Sequence, residues 1–177
     1  MKREANETLV VMGVSGVGKT SVARALSAEL PAHFIEADDF HSAENVKAMR
    51  AGFPLTDEMR EPWLNAITRA VDAVHKAQPE GSVILACSAL KRGYRDILRS
   101  GFSRFRFIHL VGERDVIAAR LSSRAGHFFS SDLLDSQFAT LESLGADESF
   151  MEIDVSKALS EVVAEIKARL SADIKPN

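Results

Sequence analysis

The chain has 177 residues, of which 46% are hydrophobic and 27% are charged, and its formal net charge is −3. This length allows one well-buried core and is short for two domains, so we expect a single domain over residues 1–177. The small negative charge argues against nucleic acid or a membrane surface as a partner. The single cysteine excludes an internal disulfide. With no signal-peptide pattern and no apolar run of about 20 residues, a cytoplasmic protein is expected.

The first predicted elements are a strand at 9–12, a glycine-rich turn, and a helix with Val22, Leu26 and Leu30 on one face. The turn at 13–20 reads Gly-Val-Ser-Gly-Val-Gly-Lys-Thr and fits the phosphate-binding pattern G-x-x-x-x-G-K-[ST]. Its backbone N–H groups and the positive end of the helix converge on one point, which predicts binding of a nucleoside triphosphate. The predicted nucleotide-binding residues are Gly13, Val14, Ser15, Gly16, Val17, Gly18, Lys19, Thr20 and Ser21.

Further strands are predicted at 33–37, 83–87, 105–111 and 150–155. Helices are predicted after Ser42, from Thr56 or Asp57, over 90–99, 115–124 and 133–144, and from Leu159 onwards. This alternation indicates an α/β fold in which helices cover both faces of a parallel sheet. Ligands of such sheets bind beyond the carboxyl ends of the strands, which directs attention to the residues that follow each strand.

Three acids, Glu36, Asp38 and Asp39, lie at the end of the second strand. A phosphate loop needs an acid for Mg²⁺, and the third strand ends in Cys87-Ser88-Ala89 without a carboxylate. We therefore expect Glu36 to help Thr20 hold Mg²⁺. Asp38 is expected to orient an attacking hydroxyl and take its proton. The alternative is a solvated acidic loop with no role in chemistry.

Two sets of polar residues are candidates for binding the phosphate acceptor. His41, Asn45 and Arg60 could together supply several hydrogen bonds to a hydroxylated or anionic molecule. Lys91 and Arg95 follow the third strand, where cations at a helix N-terminus favour a bound anion. They could equally belong to a solvated basic stripe along one helix face.

Arg120 and Arg124 are four residues apart and lead into Gly126-His127-Phe128-Phe129. Arginines on a segment that closes over phosphates can neutralise the charge that develops in phosphoryl transfer. We expect a lid at about residues 120–132, with Lys19, Arg120 and Arg124 stabilising the transferred group. The alternative is a pair of ordinary surface arginines.

Several blocks of the chain together resemble the small bacterial-type gluconokinases, and this similarity extends from the phosphate loop to about residue 142. Beyond the phosphate loop, the blocks that carry the resemblance are Asp38-Asp39-Phe40-His41, Pro54-Leu55-Thr56-Asp57, Pro62-Trp63-Leu64, Cys87-Ser88-Ala89-Leu90-Lys91, Tyr94-Arg95-Asp96, Gly126-His127-Phe128-Phe129 and Ser136-Gln137-Phe138. His127 is included among the candidate acceptor-binding residues on this basis.

The resemblance implies a three-layer α/β/α P-loop fold like that of shikimate kinases, with a five-stranded parallel sheet of order 2-3-1-4-5. It implies transfer of the ATP γ-phosphate to the 6-hydroxyl of D-gluconate, which gives 6-phospho-D-gluconate, with Asp38 at the acceptor hydroxyl. It also implies a homodimer. This chain differs from the usual family pattern at Glu36-Ala37 (usually Asp-Gly), Ser42, Ala48 and Met59.

Two other functions remain as alternatives. One is a kinase of the same fold that acts on another small polyol acid such as shikimate, or on a nucleotide. The other is a GTP-driven switch, against which the sequence argues because it lacks both Asp-x-x-Gly and Asn-Lys-x-Asp.

Overall fold

A computed structural model describes residues 7–122 and 131–172 of the chain. In these residues, strands and helices alternate. Within these residues there are five strands, seven helices and one 3-10 turn, Ala37–Phe40. The strands are β1 (Thr8–Met12), β2 (Ala32–Glu36), β3 (Ser82–Ala86), β4 (Phe105–Val111) and β5 (Phe150–Asp154). The helices are α1 (Lys19–Glu29), α2 (Ala43–Arg50), α3 (Asp57–Ala77), α4 (Arg92–Gly101), α5 (Arg114–Ser122), α6 (Ser131–Thr140) and α7 (Leu159–Ala172).

All five strands pair in parallel in the order β2-β3-β1-β4-β5. Residues of β1 alternate between two buried clusters, with Leu9 and Val11 facing one side of the sheet and Val10 and Met12 the other. The first cluster includes side chains of α1, α5 and α7, and the second includes side chains of α3 and α4. The α/β class, the three layers and the predicted strand order are therefore confirmed.

Two helices begin at the residues that the sequence predicts. The Ser42 hydroxyl accepts a hydrogen bond from the Asn45 N–H at 3.1 Å and caps α2. The Thr56 hydroxyl accepts one from the Met59 N–H at 3.3 Å and caps α3. Both caps satisfy N–H groups that have no partner inside the helix.

Two helix boundaries differ from the prediction. Helix α4 begins at Arg92 rather than Leu90, because its N-cap Lys91 has an extended backbone (φ −89°, ψ 147°) and Ala89 before it is left-handed with φ 47°. Helix α6 ends at Thr140 rather than Leu144, and the Glu142 N–H instead bonds the Leu90 carbonyl at 2.9 Å. Tertiary hydrogen bonds thus replace the helical ones that the local pattern indicates.

Part of the predicted lid falls on residues 123–130, which lie outside the described residues, as do Arg124 and His127. Among the helices of the described ranges, we find none that combines the length and the apolar character needed to cross a membrane.

Candidate active site

A cleft of about 340 Å³ opens beyond the carboxyl ends of β1, β2 and β3, where the fold predicts a ligand. The glycine-rich turn and α1 form one side of the cleft, and the 3-10 turn and α3 form the other. Its principal polar lining residues are Ser15, Lys19, Thr20, Glu36, Asp38, His41, Arg60, Ser88 and Gln137.

The turn at 13–20 has a conformation that depends on glycine at two close contacts. Gly13 has φ 139°, and a Cβ there would lie 2.8 Å from the Leu110 carbonyl oxygen of β4. Gly16 has φ 80°, and a Cβ would lie 2.4 Å from Cγ of Leu121 in α5. Both positions exclude other residues, so the sheet and α5 together determine the path of the loop.

The loop residues divide into two groups by their surroundings. Val14 and Val17 are 2% and 1% exposed and anchor the loop in the core. Ser15, Gly16, Gly18, Lys19 and Thr20 line the cleft. Ser21, predicted to bind the nucleotide, lies in the first turn of α1 and is exposed outside the cleft lining.

The proposed metal ligands Thr20 and Glu36 are adjacent. The Thr20 hydroxyl donates a hydrogen bond to Oε2 of Glu36 at 2.8 Å. Burial raises the pKa of Glu36, the Thr20 hydrogen bond opposes that rise, and the Asp38 carboxylate adds to it. A hydroxyl and a carboxylate at the foot of a phosphate loop are hard oxygen donors of the kind that Mg²⁺ takes from proteins.

Asp38 and His41 lie together on the other side of the cleft. Asp38 is on the 3-10 turn with its side chain 83% exposed, and its Oδ1 lies 3.8 Å from Nε2 of His41. The His41 side chain is only 4% exposed, and its Nδ1 is buried without a hydrogen-bond partner among the described residues. Burial lowers the pKa of His41, against the opposing effect of Asp38, so its ring is neutral at pH 7.

Trp63 of α3 packs against this pair, a role that its place in the Pro62-Trp63-Leu64 block did not indicate. Its indole stacks on the His41 ring with centroids 4.4 Å apart, and its Nε1 donates to the Ala37 carbonyl at 2.7 Å. The same side chain therefore holds the 3-10 turn that carries Asp38 and the imidazole next to it.

Arg60 and Asn45 occupy different positions. Arg60 lines the cleft, with its Nε donating to the Leu55 carbonyl at 3.4 Å. Asn45 is 5% exposed and donates through Nδ2 to the Met59 carbonyl at 3.1 Å, which ties α2 to α3. It does not line the cleft, so this structure gives Asn45 a supporting position rather than an acceptor contact.

Lys91 lies outside the cleft lining, in an ion pair with Asp57 (Nζ to Oδ1 2.8 Å). Asp57 also accepts a hydrogen bond from the Tyr94 hydroxyl. The N-terminus of α4 likewise has an internal anion, since Oε2 of Glu142 accepts from the Arg92 N–H. The carboxylates of the chain itself therefore already satisfy the predicted preference for an anion here.

Arg95 is fully buried and paired with Glu148, at 2.7 Å from Nε to Oε1, and both side chains are 0% exposed. Its remaining N–H groups donate to the carbonyls of Ala89, Leu90 and Ser143. The structure does not bring Arg95 to the cleft. Its guanidinium instead fixes the 88–91 loop that follows β3.

Arg120 of α5 does not line the cleft. Its guanidinium instead donates a hydrogen bond to the Val155 carbonyl, just after β5. Its neighbour Leu121 lines the cleft and covers Gly16. The helix that carries Arg120 therefore contacts the phosphate loop, while the guanidinium itself points to the loop after β5.

Gln137 of α6 is the most informative cleft residue that sequence reasoning left without a role. Its Oε1 accepts from the Ser15 N–H at 2.6 Å, and its Nε2 donates to the Ser15 hydroxyl at 3.0 Å. A separation of 122 residues hid this pairing, although Gln137 is part of the Ser-Gln-Phe block.

A larger depression of about 620 Å³ lies at the edge strand β5, between Glu152 and Arg169. It contains no part of the glycine-rich loop. The chemistry of the side chains therefore favours the smaller cleft as the functional site.

Comparisons with known proteins agree with this geometry. The model of the AAA domain family matches residues 9–144, so the chain belongs to that family of phosphate-loop proteins. Solved shikimate kinases share only the fold, at 16–17% identity with TM-scores of 0.51 and 0.64.

More similar relatives define the family within that class. The thermoresistant gluconokinase of Escherichia coli (strain K12) is 43% identical over 156 residues, which cover 88% of each chain. A crystal structure of a gluconokinase from Sinorhizobium meliloti 1021 has TM-score 0.85 and 40% identity, covering 96% of this chain and 94% of that one. The unliganded structure of a sugar kinase from Janibacter sp. HTCC2649 has TM-score 0.86 and 45% identity, covering 94% and 95%. The chain belongs to the gluconokinase family.

Proposed function

We propose that this chain transfers the γ-phosphoryl group of ATP to the 6-hydroxyl of D-gluconate and forms 6-phospho-D-gluconate. The observation that carries the proposal is one cleft that joins a phosphate loop to Asp38, His41 and Arg60, in a member of the gluconokinase family.

The donor half of the site is the loop with Lys19. The backbone N–H groups of the loop and the N-terminus of α1 bind the phosphates of ATP. Lys19 now donates to the Val14 carbonyl at 3.0 Å, and it would exchange this contact for the β- and γ-phosphate oxygens. Its charge compensates the negative charge that moves through the transition state.

The Thr20 hydroxyl and the Glu36 carboxylate are the residues that would hold Mg²⁺ at this site, since they are adjacent hard donors. Bound Mg²⁺ supplies charge neutralisation on the phosphates. Glu36 stands where the family usually has Asp, and its hydrogen bond with Thr20 supports its assignment as the ligand.

Asp38 acts on the acceptor. Its exposed carboxylate orients the 6-hydroxyl and takes its proton as the phosphoryl group arrives. Arg60 offers a cation to the gluconate carboxylate, and the neutral His41 offers hydrogen bonds to its hydroxyls. Catalysis is then mainly positioning and charge stabilisation, because phosphoryl transfer needs little covalent chemistry from the protein.

Some expected contributors stay predictions. Arg120 would have to leave the Val155 carbonyl to reach the transferred phosphoryl group. A role for Arg124 or His127, and a homodimer, also remain expectations from the family resemblance.

The substrate is tested by ADP release with a panel of acceptors: gluconate, other sugar acids, shikimate and nucleoside monophosphates. We expect gluconate to give the highest kcat/KM, and shikimate and the nucleotides to remain at the background without acceptor. Background turnover with gluconate alongside clear turnover with another acceptor would refute the substrate assignment.

A further inference from the structure

Gln137 makes a two-point contact with the phosphate loop at the mouth of the cleft. One atom of its carboxamide accepts from the Ser15 N–H at 2.6 Å, and the other donates to the Ser15 hydroxyl at 3.0 Å. Two hydrogen bonds to one residue fix both the position and the orientation of that residue.

The helix that carries Gln137 has its own contacts with the rest of the fold. Nε of Arg114 lies 2.5 Å from Oδ1 of Asp135, and its Nη2 lies 2.8 Å from Oδ2, so the pair is bidentate. Leu134 on the same helix is 1% exposed in the core. Gln137 therefore contacts the loop from a helix that is packed into the core and paired with α5.

The loop benefits from such a support because of its composition. Gly13, Gly16 and Gly18 all adopt positive φ, and glycine loses more conformational freedom on ordering than any other residue. A contact that orders the loop before the nucleotide arrives lowers the loss of conformational entropy that accompanies nucleotide binding.

The chemistry of the side chain also matters. A carboxylate could accept the same Ser15 N–H, but it would put a negative charge where the phosphates bind. A carboxamide holds Ser15 without that charge, which fits a site for a polyanion.

We propose that Gln137 is a positioning residue of the nucleotide site, which holds Ser15 so that the phosphate loop is ordered before ATP binds. The inference rests on the nucleotide-binding half of the proposed function, and it does not depend on the identity of the acceptor.

The test is the affinity for ATP, measured by calorimetric titration with Mg²⁺ and without acceptor, in wild type, Gln137→Leu and Gln137→Glu. Leucine keeps most of the volume and removes both hydrogen bonds, so we expect Kd to rise about tenfold. Glutamate keeps the acceptor oxygen and adds charge, so we expect a larger rise that shrinks as pH falls towards the pKa of the new carboxyl.

Gln78→Leu is the matched control, since Gln78 is exposed at the end of α3, near the edge of the sheet where β2 and β3 begin and away from the cleft at their carboxyl ends. Its Kd for ATP should equal that of wild type. The KM for ATP should rise in Gln137→Leu while the KM for gluconate stays constant, a difference that a general loss of structure would not produce.

Three results would overturn the proposal. Tighter ATP binding in Gln137→Leu would mean that the carboxamide merely competes with phosphate. Unchanged binding would remove Gln137 from the nucleotide site. A large fall in Tm with equal effects on both KM values would make the residue purely structural. If gluconate gives no turnover but the Kd for ATP changes as expected, the substrate assignment is refuted and this inference stands.

Discussion

At the scale of single residues, three neighbouring side chains, Trp63, His41 and Asp38, form the side of the cleft opposite the phosphate loop. Trp63 stacks on His41 and holds the Ala37 carbonyl, and Asp38 follows directly in the chain. The sequence identified Asp38 and His41 because they follow a strand of a parallel sheet. Trp63 was missed as a support because its tertiary contacts leave no local pattern.

Trp63 is the only tryptophan of the chain and therefore reports on His41. We expect its fluorescence to fall on acidification, because a protonated imidazole quenches a stacked indole. Since burial lowers the pKa of His41, the midpoint should lie below the ordinary histidine value of about 6.5. A pH titration of the emission at constant ionic strength measures this.

Two variants show which histidine causes the change in fluorescence. His41→Gln should abolish it, while His33→Gln should preserve it because His33 is exposed on β2. A midpoint at or above 6.5, or a transition that persists without His41, would contradict the buried stacked geometry.

At the scale of elements, the loop after β3 illustrates where sequence reasoning fails. Lys91 and Arg95 lie near a helix N-terminus and suggested an anion site. Their anionic partners are instead Asp57 and Glu148 of the chain itself. The sequence did not indicate these ion pairs, because pairs between distant segments leave no trace in a helical pattern. The N-caps of α2 and α3, which depend on local signals, were predicted correctly.

The Arg95–Glu148 pair provides a stability prediction for this element. Burial alone would raise the pKa of Glu148, but hydrogen bonds from Arg95 and the Gly145 N–H lower it, so the carboxylate stays charged at neutral pH. Glu148→Gln leaves a buried guanidinium uncompensated, and we expect a loss of about 3–5 kcal/mol in the free energy of unfolding.

Urea denaturation at pH 7 checks this value, with Glu80→Gln as the matched control at an exposed turn. The control should remain within about 0.5 kcal/mol of wild type. A Glu148→Gln protein equally close to wild type would show that the pair contributes little.

At the scale of the whole molecule, the fold follows from alternation of apolar strands and amphipathic helices, and the strand order from the family resemblance. Parallel pairing brings Lys19, Glu36 and Asp38 to one edge of the sheet although they come from different segments. This edge could be predicted from the sequence. The contact between α6 and the phosphate loop could not be predicted, because it depends on how α6 packs against distant parts of the chain.

In the proposed function, this cleft phosphorylates gluconate with Asp38 as the base that takes the proton of the acceptor hydroxyl. Transfer of the labelled γ-phosphoryl group of ATP to gluconate should be measured in wild type and Asp38→Asn, together with the ATP affinity of each. We expect one phosphogluconate per ATP consumed by wild type. Asp38→Asn should be slower by about 100-fold or more, with ATP affinity unchanged, because only the acceptor loses its base. Near wild-type transfer by Asp38→Asn, or label released only as inorganic phosphate by wild type, would contradict the account.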